Sequence, residues 1–167
     1  MVMVVGLVAV VGCAGSGNDA PASDSVAAPV DTAPVGEMLG GGALTPIHDG
    51  QAGSPHVRVE WSVSGANISI AYGRPFLKGR TVGDSVEPLE DRVWRLGADE
   101  ATTLTTDRDL MLGATHVPAG EYTLWTISTG GVTELIVNSD TGQWGTQYDE
   151  SRDLGRTLMT VGTLDTP

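Results

Sequence analysis

One cysteine, nine lysines and arginines and no cluster of them long enough to form a run: scarcity constrains this 167-residue chain before anything else does. With Cys13 the sole thiol, the chain has neither a disulfide framework nor a cysteine-based metal site. Twenty-one acidic residues against nine basic ones give a formal net charge of -12, which repels phosphate backbones and argues against nucleic acid as a partner. His48, His56 and His116 stand far apart in turn or linker settings, and no His-x-His or Glu-x-x-His spacing occurs, so no metal site and no cofactor are expected. Ser64, Ser85 and Ser139 lie in turns without a Gly-x-Ser-x-Gly elbow, which leaves serine hydrolysis unsupported. No glycine-rich stretch leads into a helix or a Lys-Ser/Thr pair, so no nucleotide cradle is expected either. Past Pro55 no long helical stripe exists; only Val86 to Trp94 has the pattern for a turn or two of helix.

What is present begins with an address. Met1 to Gly12 is almost wholly apolar, too short to cross a bilayer as a helix, and ends at Val10-Val11-Gly12-Cys13. That ending resembles a bacterial lipobox, in which the cysteine becomes the lipidated first residue of the mature protein. Residues 1–13 are therefore read as a lipoprotein signal peptide with its lipidated Cys13, although the positively charged start of a secretory signal is missing. The partner so implied is a membrane, reached through the lipid anchor in the cell envelope, and the non-acidic Ala14 leans towards the outer membrane. Residues 14–55 are rich in Gly, Ala, Pro, Ser and Asp and hold no Lys or Arg, which reads as a flexible linker. Met38-Leu39 and Leu44 are candidates for a short docked segment, and Gly40-Gly41-Gly42 argues against a helix there.

From residue 56 the period becomes two. Val57, Val59, Trp61 and Val63 alternate with polar residues, and Ile68, Ile70 and Tyr72 repeat the pattern after Ser64-Gly65-Ala66-Asn67, which predicts a hairpin with Trp61 buried. Further strands are predicted at Ala101 to Thr106, Leu110 to Leu112, Glu121 to Ser128 and Thr133 to Asn138, with turn residues between them. The expected fold is all-β: an antiparallel β-sandwich or open barrel with short helical turns in loops, occupying 56–167.

Several motifs in order sharpen that expectation: Tyr72-Gly73-Arg74-Pro75, Lys78-Gly79-Arg80, Val93 through Thr102, Pro118-Ala119-Gly120-Glu121-Tyr122, and Gln143-Trp144-Gly145 followed by Tyr148-Asp149-Glu150-Ser151. Together they resemble the bacterial "domain of unknown function 2911" family from about Ser54 to Pro167. The resemblance implies an exported or lipid-anchored β-protein and names no reaction. Asp99 departs from the asparagine usual in that family and adds a charge beside Glu100. Family members continue for several strands past the stretch matching Asp165-Thr166-Pro167, which implies that this chain stops within its domain.

The candidate chemistry lies between Arg74 and Glu100. Arg74, Lys78, Arg80, Arg92 and Arg95 place five of the nine basic residues in one connection, and loops on a rigid sheet commonly carry binding groups. One reading is an anion pocket, with Arg95 or Arg74 clamping a carboxylate or phosphate through its planar fork. The other is purely structural: Arg95 pairs with Asp99 or Glu100 and Arg92 with Glu87 or Glu90, while Asp84, Glu87, Glu90 and Asp91 cancel the loop's charge. Trp94 and Trp144, near turns, are the indoles best placed to stack on a small-molecule or glycan ligand, with Tyr148 a weaker candidate, whereas Trp125 belongs to the core. Asp99 and Glu100 would be the acid and base of a carbohydrate hydrolase only if something overrode their adjacency, since consecutive strand residues face opposite ways. The leading expectation is thus a non-enzymatic, lipid-anchored ligand-binding or structural envelope domain; the rival is a carbohydrate-active envelope hydrolase using Glu100. Oligomeric state is left open by the sequence.

Overall fold

Period-two alternation and frequent turn residues become ten strands among the described residues of the computed structural model, which are 38–39, 41–160 and 162. The apolar leader, Cys13 and the tract up to residue 37 lie outside them. The strands are β1 (Met38–Leu39), β2 (Gly42–His48), β3 (His56–Val63), β4 (Ala66–Gly73), β5 (Thr102–Thr106), β6 (Leu110–Leu112), β7 (Thr115–Val117), β8 (Gly120–Thr129), β9 (Val132–Asn138) and β10 (Asp153–Leu158). Eight form one sheet in the order β1-β2-β3-β4-β5-β8-β9-β10, and β6 pairs with β7 in a hairpin of its own. All these pairings are antiparallel. The fold is the all-β class expected, consistent with a sandwich or open barrel.

Turn chemistry fixes the register. Ser64 and Gly65 both take left-handed φ, 51° and 80°, the twist a two-residue hairpin turn needs, and β3 then pairs with β4 without a break from His56↔Gly73 to Val63↔Ala66. Because side chains alternate, the sheet presents two apolar faces. One carries Leu104, Tyr122, Leu124 and Val137, covered by Val117, Leu110 and Leu112 of the β6–β7 hairpin. On the other, Trp125 and Ile136 pair across β8 and β9 and pack with Ala101, Val93 and Tyr148, and the Trp125 indole donates to Thr123 Oγ1 at 3.0 Å.

The structure corrects three expectations. The domain does not begin at residue 56, and the linker assigned to 14–55 overlaps it: β2 lies against β3 with Leu44 opposite Val59, and Leu44 is buried with Val57 and Val59. Composition concealed this strand, because its glycine and proline serve geometry. A β-carbon on Gly42 would fall 2.5 Å from the Trp61 ring, and Pro46, opposite Val57 in β3, lies beyond the residues of β2 that pair with β1. The segment Val86 to Trp94 forms no helical turn, since its backbone is taken by β8: Asp91 N–H donates to the Ser128 carbonyl and Trp94 N–H to that of Thr126. Single 3-10 turns occur at Gln51–Gly53 and Glu150–Arg152 instead. Finally, Trp61 is only half-buried, packed at the margin of the Leu44, Val57 and Val59 cluster, and Val63 is 53 % exposed.

Candidate functional site

Between β4 and β5 the chain leaves the sheet at Arg74 and returns at Thr102, and its two ends are pinned where they depart. Arg74 N–H donates to the Pro55 carbonyl at 2.8 Å, Ala98 N–H to that of Gly73 at 3.2 Å, and Ala101 N–H to that of Gln143 at 3.2 Å. Gly73 allows the close approach, since a β-carbon there would meet the Ala98 oxygen at 2.4 Å. The connection is thus held open as a groove of about 780 Å³ beside the sheet.

Arg74, Lys78, Arg80, Trp94, Arg95 and Asp99 all line this groove. Arg92 and Glu87 complete its charged lining, so five cations face two carboxylates in a chain of net charge -12. The Arg92–Glu87 pair expected in the structural reading is present. Of the loop's four acids only Glu87 is in the lining, paired with Arg92 at 2.8 Å; Asp91 accepts from the Thr129 hydroxyl and Glu90 from the Gly130 N–H, both turned towards the β8–β9 turn. The Arg80 guanidinium closes its own turn on the Phe76 and Leu77 carbonyls at 2.8 and 2.9 Å.

Arg95 behaves differently. Its stem runs over Gly145, where a β-carbon would fall 1.6 Å from Arg95 Cδ, and its Nε is buried without a hydrogen-bond partner. Neither carboxylate proposed for it in the structural reading is in place among the described residues. Asp99 accepts instead from the Gln51 N–H at 3.0 Å, and Glu100 Oε2 lies 2.8 Å from His56 Nε2. Adjacency explains the divergence, since Asp99 looks into the groove while Glu100 is outside its lining. Asp99 has φ 62°, a left-handed value that Asn and Asp tolerate best. Leu96 has φ 58°, a strained value for a branched side chain, costing about 1–3 kcal/mol, and it flanks Arg95 directly.

Trp144 does not join the groove; its backbone bridges Glu100 on the outer side. Trp94 lines the groove half-buried, its indole N–H reaching the Gly97 carbonyl at 3.3 Å. Tyr148 belongs to a closed network. Its hydroxyl donates to Asp153 at 2.7 Å, and Arg156 bonds Asp153 at 2.9 Å and Glu150 at 2.7 Å. Burial first, then the Asp153 carboxylate, push the Tyr148 hydroxyl well above its ordinary pKa.

Behind the groove the fold gathers residues read as scattered. His48 and His56 are opposite each other in the β2–β3 register, their rings stacked at 4.3 Å, and together with Glu100 they offer ligand atoms all within 4.8 Å of one another. The expectation of no metal-competent histidine set rested on their separation in sequence, which strand pairing removes. Recognising β2 was the step that would have found them, because the cross-strand pairing follows from it. His116 stays apart and bonds Asp109 at 3.0 Å.

Comparison with curated proteins and with solved structures finds no match to this chain. A family profile matches residues 54–167, more than half of the chain and the stretch that carries the motifs from Tyr72 to Ser151, and the protein therefore belongs to the family described as "Protein of unknown function (DUF2911)".

Proposed function

We propose that this protein is an exported, lipid-anchored β-domain of the cell envelope that binds a small anionic molecule or an anionic glycan in the 74–101 groove without transforming it. One observation carries the reading: the buried, unpartnered Nε of Arg95 beside a groove lined by five cations and two carboxylates. A guanidinium held without a carboxylate is matched by a carboxylate or phosphate brought from outside, with two parallel N–H···O bonds. Trp94 and the exposed Phe76 and Leu77 add apolar surface for the body of such a ligand. Anchoring rests on the apolar leader and Cys13; among the described residues no helix is long and apolar enough to cross a membrane.

Hydrolysis of glycans by Glu100 is the less favoured reading, because Glu100 is engaged with His56 and lies outside the groove that would hold the sugar. Among the described residues lining the groove, the carboxylate that accompanies Asp99 is Glu87, which is ion-paired with Arg92, and this supports binding over hydrolysis. The test is a thermal-shift screen pairing each anionic compound with its neutral counterpart: uronic acids with hexoses, sugar phosphates with sugars. Wild-type protein stabilised by the charged member of a pair, and Arg95→Met protein indifferent to both, is the expected outcome. Equal response of the two proteins would remove Arg95 from the site. Labelled palmitate should enter the full chain and not its Cys13→Ser variant; absence of label in both would end the anchoring proposal.

A further inference from the structure

We propose that His56, Glu100 and His48 form a binding site for one divalent transition ion of the zinc class, separate from the groove. The argument starts with a proton. His56 is 5 % exposed and its Nδ1 lies 2.9 Å from the Ser54 carbonyl oxygen, which can only accept, so Nδ1 carries a hydrogen and the neutral tautomer of the ring has its lone pair at Nε2. Another acceptor, Glu100 Oε2, lies 2.8 Å from that nitrogen. Both atoms are buried and neither has a partner in hydrogen-bond geometry, so the contact is close but misaligned for an imidazolium donating to a carboxylate. Two buried acceptors abutting in this way repel each other, and a cation between them converts the repulsion into two coordinate bonds.

The surroundings fit a metal ligand set. A ring N–H tied to a backbone carbonyl is the arrangement that fixes tautomer and orientation in metal-bound histidines. His48 stands directly across from His56 and is exposed; its Nδ1 accepts from the Gly50 N–H at 3.0 Å, a bond the ring gives up on taking the ion. Bonds of about 2.0–2.1 Å to nitrogen put tetrahedral ligand atoms roughly 3.3 Å apart. The 2.8 Å pair opens slightly to meet that value, and the His48 ring turns inward from a cluster spanning 4.8 Å. Two imidazoles and one carboxylate select a zinc-like ion over Mg²⁺ or Ca²⁺, which prefer all-oxygen sets. The Glu100 side chain is 46 % exposed, so the fourth position opens to solvent and takes water.

Such an ion would tie β2 and β3 to the end of the 74–101 connection. Asp99, next to Glu100, accepts from Gln51 and lines the groove, so bound metal would also stiffen one wall of the ligand site.

The experiment uses the tag-free full chain, stripped with a chelator and titrated with ZnCl2, with MgCl2 in parallel, followed by calorimetry and by melting temperature. One zinc per chain is expected, with a melting temperature that climbs with zinc concentration and ignores magnesium. His56→Ala and Glu100→Gln should each weaken zinc binding about tenfold or more, with a similar loss in His48→Ala, while His116→Ala binds as wild type. Should the buried His56 variant fail to fold, the other two substitutions lie on the exposed side and carry the test alone. Co²⁺ in place of zinc should give the visible bands of a four-coordinate ion, lost in Glu100→Gln. Zinc uptake by wild type no stronger than by His48→Ala and Glu100→Gln would overturn the proposal, as would absence of any uptake.

Discussion

Replacing Arg95 by methionine separates a binding residue from a structural clamp, because the two roles predict opposite changes in stability. Methionine keeps an unbranched apolar stem to lie over Gly145 and removes the guanidinium. In the free protein that guanidinium has a buried Nε with no partner, and Arg95 makes no ion pair among the described residues. A buried donor left unsatisfied costs about 1–3 kcal/mol. Part of the gain from removing it is lost where methionine packs less fully than the longer side chain. The net expectation is a protein as stable as wild type or more stable by up to about 1 kcal/mol, which for a domain of this size is a rise in melting temperature of about 3–5 °C. Binding moves the other way. Loss of a charge-assisted hydrogen bond costs about 1.5–3 kcal/mol, or roughly 10- to 150-fold in affinity for an anion. Urea melts followed by tryptophan fluorescence measure the first quantity, and titration with whichever anion stabilises wild type measures the second. If unliganded Arg95→Met lost more than about 1 kcal/mol, the guanidinium would be a fastener of the loop and the binding argument would fail.

Gly145→Ala should act on the same group from behind: its β-carbon would fall 1.6 Å from Arg95 Cδ and 2.6 Å from the Asp99 carbonyl oxygen, so we expect about 1–3 kcal/mol of destabilisation together with weakened anion binding, read from the same melts and titrations. Trp125→Ala removes an indole that is 1 % exposed and should cost about 3–5 kcal/mol in urea denaturation; a loss below 1 kcal/mol would mean that the second apolar face is not a core. Acid should destabilise the domain below about pH 4. Asp107 is held below its ordinary 3.8 by the Asn67 backbone N–H and then its side-chain amide, Asp109 by the Ala119 N–H and then His116, and Asp149 by the Ser151 hydroxyl and then its N–H. With folded pKa values depressed, the unfolded chain takes up protons first. The stabilisation is therefore full above 3.8 and disappears as pH falls through the folded values, and Asp107→Asn should flatten that decline in a pH series of urea melts.

The strands legible in the sequence are those with one buried face. Val57, Val59, Ile68 and Ile70 alternate with polar residues because each pleat places neighbours on opposite sides of the sheet, and the predicted hairpin follows from the left-handed turn at Ser64-Gly65. β8 was legible for a second reason, the β-branched and aromatic run around Trp125. β2 was not, because Gly42 and Pro46 look like linker residues until Trp61 and an edge position account for them. β10 escaped too, since Arg156 and Asp153 give it a polar look while they form a network with Tyr148 and Glu150.

At the site the division is similar. Residue identity alone concentrated cations in 74–95, while the opposite directions taken by Asp99 and Glu100 follow from the left-handed backbone at Asp99. Which carboxylate met which cation was a tertiary outcome: Glu90 and Asp91 turned to the β8–β9 turn, Glu87 paired with Arg92, Glu100 went to His56, and Arg95 was left against Gly145. The meeting of His48 with His56 was decided in the same way, by register between two strands of which one could not be read. Composition and period thus determined the fold class, the charge and the loop in which the cations cluster. Pairing across space determined the partners, since an ion pair or ligand set depends on distances of a few ångströms that no sequence separation encodes.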